Sequence, residues 1–351
     1  MKKIKVLVVD DSALVRQSLS SIIEQSDDME LLATAADPYF AVAKMKKHKP
    51  DVITLDIQMP KMDGLTFLKK IMAQHPVPVV IISSIAKKDS DIALEAYRLG
   101  ASEVIEKPKI TDKKSLEDWQ IKFKESILTA SKTRVSKIRS LAKLPYEKKE
   151  ISKPALTQPN QISNKLILMG SSAGGTEVIN TILSNLPIST APIAIVQHMP
   201  EVFTKSYAER LNRNSGLIVK EAVSDELLSD GKAFIAPGNL HLTLKKKGTK
   251  VYTELDDGDK VNRHKPSVDA LFDSACTIND KKIMAIILSG MGNDGSQAMM
   301  RLKKKGAITI AQSEDSCIIY GMPKEAYNSG AATFSLSINE IIQKIIEFSG
   351  K

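Results

Sequence analysis

The sequence predicts two doubly wound α/β domains joined by a linker. Two separate series of short apolar runs alternate with segments of helical periodicity, the mark of parallel sheets flanked by helices. In both series the apolar runs stop abruptly at polar or glycine-rich clusters. Between them lies a polar stretch, PYEKKEISKPALTQPNQISN, that holds three prolines and has no periodicity.

The first series opens with IKVLVVD, an apolar strand ending at Asp10-Asp11-Ser12, and the helix pattern ALVRQSLSSIIEQ follows. MELLATAAD and YFAVAKMKKH read as a strand and a helix. DVITLD is a second buried strand, ending at Asp56; the turn through Met59-Pro60 and Asp63-Gly64 leads into the helix LTFLKKIMAQ. PVPVVIISS carries Ser83 near its end, and ASEVIEKP carries Lys107. In sheets of this kind functional groups gather at the carboxyl ends of the strands.

Residues 115–144 place Leu116, Trp119, Phe123, Ile127, Leu128, Val135, Ile138 and Leu141 at amphipathic-helix spacing. The early part is expected to close the first domain and the later part to become linker. The expected division is 1–124, a linker over 125–160, and a second domain over 161–351.

The second series begins with LILMGSS, a helix, PIAIVQ and the helix FTKSYAERLNR. A strand-rich middle follows (KAFIAPGN, LHLTLKKK, TKVYTELD). KKIMAIILSG is a buried strand ending in Gly290-Met291-Gly292-Asn293-Asp294-Gly295; the helix SQAMMRLKKKG and the strand AITIAQ complete the expected fold. The second domain is thus a mostly parallel sheet with an antiparallel excursion.

Composition narrows the function classes. The 351 residues carry a net charge of +9, but residues 111–165 alone hold +7, leaving +2 for both flanks. Charge concentrated in a connector reads as a solvated face, and no helix-turn-helix or zinc-finger pattern accompanies it, so nucleic acid is not expected as a partner. No apolar run approaches the roughly 18 residues of a membrane span. The N-terminus lacks a signal-peptide pattern. Cys276 and Cys317 form no disulfide framework or zinc motif. A cytoplasmic protein without membrane insertion is the expectation.

Two constellations carry chemistry. In the first domain Asp10, Asp11, Asp56, Ser83 and Lys107 all fall at strand ends. Clustered carboxylates repel one another and call for a cation; Mg²⁺ takes oxygen ligands of this type. A single aspartate at a strand end is more often a helix cap, but the ordered set is more specific. In the second domain the strand–turn–helix at GSSAGG offers a hydroxyl beside the N–H groups of a helix N-terminus, the ingredients of acyl transfer. His198 follows the strand PIAIVQ, and Asp294 follows another strand. Ser172, His198 and Asp294 therefore share one rim, as a nucleophilic triad requires. GSSAGG lacks the spacing of a nucleotide-binding loop. Gly170-x-Ser172-x-Gly174 matches the α/β-hydrolase elbow, but here the order is Ser…His…Asp rather than Ser…Asp…His.

VVDDS, DVITLDIQMPKMDG, Ser83 after PVVII, and Lys107-Pro108 together resemble a response-regulator receiver domain, a flavodoxin-like fold. The resemblance implies phosphorylation of Asp56 by a chemotaxis histidine kinase. It also implies Mg²⁺ held by Asp11, Asp56 and the Gln58 carbonyl, with Asp10 acting through water, and Ser83 and Lys107 as switch residues. Many receivers have Thr at position 83; serine keeps the hydroxyl. GSSAGG, VQHMP, HKPSVD, LSGMGNDG and YGMPKEA resemble the chemotaxis protein-glutamate methylesterase domain, and a receiver ahead of it is that family's arrangement. The resemblance implies Ser172 as nucleophile, His198 as base and then acid, Asp294 as orienter, and the Met291 N–H as oxyanion donor with a second near Ala173. It further implies methyl-accepting chemoreceptors as substrates, methanol as product, deamidation of receptor glutamines, and no cofactor for the esterase reaction. The family usually has Ala at 171 and Ser or Thr at 173. Here Ser171 and Ala173 stand there, so Ser171 is a decoy hydroxyl.

A regulatory expectation follows: the unphosphorylated receiver covers the rim, and phosphorylation at Asp56 uncovers it. Two rivals remain, a different receiver-controlled serine esterase or amidase, and a non-enzymatic response regulator.

Overall fold

The computed structural model describes residues 2–84, 90–107, 113–136, 163–278 and 282–350. The chain divides into two compact units, Met1–Ala142 and Lys143–Lys351.

The first unit alternates β1 (Ile4–Val9), α1 (Ala13–Glu24), β2 (Met29–Ala35), α2 (Pro38–Lys47), β3 (Val52–Leu55), α3 (Gly64–Gln74), β4 (Val79–Ser83), α4 (Ser90–Leu99), β5 (Glu103–Glu106) and α5 (Lys113–Ser131). The strands form one sheet in the order β2-β1-β3-β4-β5, and every pairing is parallel. Strand order reverses between β1 and β3, which leaves a crevice at their carboxyl ends. Three helices start where short polar side chains take orphan N–H groups. Ser12 caps α1, Asp37 caps α2 ahead of Pro38, and Asp63 caps α3. Asp10, Asp11 and Asp56 are thereby released from the capping role.

Helix α5 does not end at residue 124. Phe123, Ile127 and Ala130 are fully buried in the cluster that contains Val6, Val8, Val80 and Ile105. Each such side chain contributes about 1–3 kcal/mol by leaving water, which holds the helix on the sheet to Ser131. The expected division at 124/125 therefore falls inside a helix. Ile138, Leu141 and the proline-containing stretch lie outside the described residues.

The second unit runs β6 (Lys165–Ser171), α6 (Gly175–Ser184), β7 (Ile193–Gln197), α7 (Glu201–Asn214), β8 (Ile218–Glu221), β9 (Lys232–Ile235), β10 (His241–Lys247), β11 (Lys250–Asp256), α8 (Val268–Ala275), β12 (Lys282–Ile287), α9 (Ser296–Lys304), β13 (Ile308–Gln312), α10 (Met322–Asn328), β14 (Phe334–Leu336) and α11 (Ile338–Ser349). A seven-stranded sheet has the order β14-β13-β12-β6-β7-β9-β8, parallel throughout. The antiparallel excursion is a separate hairpin, β10-β11. The chain leaves β6 toward β7 and leaves β12 toward β13, so the switch point lies between β6 and β12.

The fold does not finish at AITIAQ, as the sequence reading expected. Helix α10, edge strand β14 and helix α11 follow. Strand β14 has only three residues, and Phe334 is exposed, so its apolar signal is weak. In α11, Ile338, Ile341, Ile342 and Ile345 line one buried face, and Ser337 and Glu340 form a capping box.

Candidate active site and phosphoryl site

Backbone pairing continues past the strand ends and fixes Ser172. Its N–H donates to Ser289 O at 3.0 Å, and the N–H of His198 donates to Ser171 O at 3.0 Å. Strands β6, β7 and β12 are thus closed together at the rim. Gly174 takes φ +77°, where a Cβ would strike Ile318, so the turn into α6 needs glycine there. A Cβ on Gly290 would lie 2.8 Å from Ser172 Cβ, which shows how closely the loop after β12 approaches the serine.

The two serines have opposite environments. Ser171 is fully buried, and its hydroxyl donates to Gln197 Oε1 at 2.6 Å. Ser172 sits half-buried at the rim. Gln197 Nε2 donates to the carbonyls of Ser172 at 2.8 Å and His198 at 3.1 Å. One glutamine therefore ties the turn to the next strand end. The N–H of Ala173 meets no acceptor among the described residues.

His198 Nε2 lies 2.8 Å from Asp294 Oδ2. A carboxylate only accepts, so Nε2 carries the proton, and in the neutral ring Nδ1 holds the lone pair. Nδ1 is buried and has no hydrogen-bond partner among the described residues. Asp294 lies at the N-terminus of α8. Its Oδ2 also accepts from Val268 N (2.7 Å), and its Oδ1 accepts from Ser267 Oγ (2.8 Å), Asn262 Nδ2 (2.9 Å) and Asp269 N (3.2 Å). Burial acts to raise this carboxyl. The hydrogen bonds from His198, Asn262 and Val268 outweigh it and hold the group well below the usual carboxylate range. Asp294 is thus a fixed anion aimed at His198.

Sequence reasoning placed Ser172, His198 and Asp294 on this rim, and the structure brings all three strand ends together. It did not find Gln197, Ser267, Asn262 or Ser289. HKPSVD had marked Ser267 without giving it a role. Ser289 Oγ donates to Ala173 O and accepts from Ile319 N, tying two loops. His241 proves to be a structural histidine: Nδ1 accepts from Ser267 N and Nε2 faces Asp259 O at 2.9 Å.

In the first unit Asp10, Asp11 and Asp56 offer carboxylate oxygens all within 4.8 Å of one another. Asp10 and Asp56 are buried and Asp11 is exposed. Lys107 Nζ lies 2.8 Å from Asp10 Oδ2 and 2.9 Å from Asp56 Oδ2. Burial pushes the Asp56 carboxyl up, against the opposing pull of Lys107. Burial would lower the Lys107 ammonium, but its bonds to the two aspartates raise it. Ser83 is buried at the end of β4, and its carbonyl accepts from Lys107 N at 2.9 Å. The all-oxygen donor set suits a hard divalent cation such as Mg²⁺.

The family profile for the CheB methylesterase matches residues 167–345, and that for the response regulator receiver domain matches residues 6–117. The chain belongs to the CheB methylesterase family. It is 43% identical to a protein-glutamate methylesterase/protein-glutamine glutaminase of Geobacter metallireducens, with 100% of both chains covered. The Salmonella typhi protein of the same description is also 43% identical, with 99% of this chain and 97% of that one covered. The crystal structure of the Thermotoga maritima CheB methylesterase catalytic domain matches with a TM-score of 0.51 at 42% identity, over 53% of this chain and 99% of that one. Among the described residues no helix is long and apolar enough to cross a membrane.

Proposed function

We propose that the chain hydrolyses glutamate γ-methyl esters on methyl-accepting chemoreceptors and deamidates specific receptor glutamines, under control of a phosphorylated receiver. The observation that carries the reading is the committed Nε2 of His198, held by Asp294, with an uncommitted Nδ1 at the rim that bears Ser172.

Ser172 Oγ attacks the ester carbonyl carbon as its proton passes to His198 Nδ1. Apo hydrogen bonds of this kind tighten when substrate binds. Backbone N–H groups of Met291 and Ala173 stabilise the oxyanion. The C–O bond to methoxide then breaks, and His198 returns the proton so that methanol leaves. Water cleaves the acyl-enzyme by the same route, restoring Ser172 and leaving glutamate. With glutamine the leaving group is ammonia.

In the receiver, Asp56 accepts a phosphoryl group from a chemotaxis histidine kinase. Asp11, Asp56 and the Gln58 carbonyl would hold Mg²⁺, with Asp10 through water; the ion would neutralise charge on the phosphoryl oxygens. Ser83 and Lys107 contact the modified Asp56 and carry the switch. This control of receptor methylation supports adaptation.

The test is methanol release from methylated receptor membranes, with and without a small phosphodonor and Mg²⁺. Ser172→Ala is expected to abolish release while Ser171→Ala keeps it. The reverse pattern would overturn the choice of serine. Equal rates with and without phosphodonor would remove the regulatory half. Turnover of small soluble esters but not of methylated receptor would point to a different esterase.

A further inference from the structure

The ring of His264 lies on the ring of His198, with centroids 3.8 Å apart and planes 12° from parallel. Nothing in the acyl-transfer scheme uses this second histidine. Its placement is built, not incidental. Val261 and His264 exchange both backbone hydrogen bonds, and Asn262 and Arg263 between them take φ +51° and +68°. That is a tight two-residue turn of the type that needs left-handed backbone at both central positions. For arginine this conformation costs about 1–3 kcal/mol. The turn belongs to a loop anchored at several points. His241 holds Asp259, Lys265 Nζ donates to Asp257 and Gly258, and Asn239 N donates to Lys265 O. Asn262 donates to both Asp269 and Asp294.

We propose that His264 is a positioning residue that fixes the plane of the His198 ring. The inference rests on the Ser172–His198–Asp294 reading above. One hydrogen bond from Nε2 to Asp294 fixes a point and a direction, but the ring can still turn about that axis. The Nδ1 lone pair lies in the ring plane, so turning the ring swings it away from Ser172. A flat neighbour at van der Waals distance removes that freedom. The same face attracts the imidazolium that forms on His198 during proton transfer, provided His264 stays neutral.

The full chain is compared with His264→Phe, which keeps a flat ring, and His264→Leu, which keeps apolar bulk only. The readouts are steady-state esterase kinetics and the rate of Ser172 labelling by a fluorophosphonate. Leu is expected to lower kcat and the labelling rate about tenfold with KM within twofold, and Phe to stay within about threefold of wild type, as a stacking contact of this size implies. The downfield proton resonance of the His198–Asp294 hydrogen bond should persist in Phe and broaden in Leu. Equal behaviour of Phe and Leu, or losses that follow their melting temperatures, would overturn the proposal. If wild type is not labelled at Ser172, the triad reading itself fails and takes this inference with it. If wild type and His264→Leu label alike, only the inference fails.

Discussion

The two rims of this molecule use one architectural idea with opposite electrostatics. In each, a parallel sheet reverses its winding and opens a crevice at the strand ends. The first rim concentrates like charge: three carboxylates offer oxygens within 4.8 Å of one another, and one lysine pairs with two of them, Asp10 and Asp56. The second spreads the carboxylate of Asp294 over donors from α8, its preceding loop and His198, and shares Asn262 with Asp269. A charge-crowded site is poised to change when charge is added or removed. A charge-saturated site is poised to stay still. The difference separates a switch from a catalyst.

The sharpest way to break this comparison is to remove the anion from the saturated site. Asp294→Asn keeps the shape but turns an NH₂ toward groups that already donate. His198 then loses its enforced tautomer. The esterase rate is expected to fall about 10³–10⁴-fold, as for the orienting acid of other triads. A rate within tenfold of wild type would show that Asp294 is a structural cap of α8 only.

What could be read in the sequence follows the same division. Every residue of the charged rim is a strand-end side chain, so alternation alone located Asp10, Asp11, Asp56, Ser83 and Lys107. Ser172, His198 and Asp294 were legible for the same reason. Their supports were not. Asn262 and His264 arrive from a loop between β11 and α8; HKPSVD marks His264 without giving it a role, and nothing local ties Asn262 or the V-N-R-H turn to a site built on β6, β7 and β12. Gln197 was hidden as an ordinary polar residue before a histidine. Only its pairing opposite Ser171 reveals the clamp.

The second prediction concerns acid. Burial, with help from His198, pushes His264 down to about 4 from an ordinary value near 6.5; Asp294 opposes this, while Lys260 and Arg263 add to it. Below pH 6.5 the unfolded chain takes a proton that the folded chain refuses. Stability is therefore complete above about 6.5 and is lost as pH falls toward 4, by up to about 3 kcal/mol. Asp294 adds to the loss at still lower pH, since its depressed carboxyl stabilises only while ionised. Calorimetry of the second unit's transition at pH 7 and pH 4.5 should show a smaller drop in His264→Phe than in wild type. Equal drops would mean that His264 does not titrate with folding.

The charged rim should respond to a cation where the saturated rim does not. Magnesium at about a hundred times its dissociation constant should stabilise the first unit by about 2.7 kcal/mol. Asp11→Asn should abolish most of that gain, and EDTA should reverse it in wild type. A gain that survives the substitution would place the ion elsewhere.

The smallest effect tests whether the stillness of the second rim has a cost. Arg263 holds φ +68° in the turn that carries Asn262 and His264. Glycine adopts that conformation without a Cβ penalty but gives the unfolded chain more freedom. Relief of strain is expected to win, so Arg263→Gly should leave the second unit equally stable or stabilise it by about 1 kcal/mol. Esterase activity should fall no more than threefold, because Asn262 and His264 remain anchored by Asp269, Asp294 and the reciprocal Val261–His264 bonds. A destabilisation above about 1 kcal/mol would show that the arginine side chain stabilises the turn more than its backbone strains it.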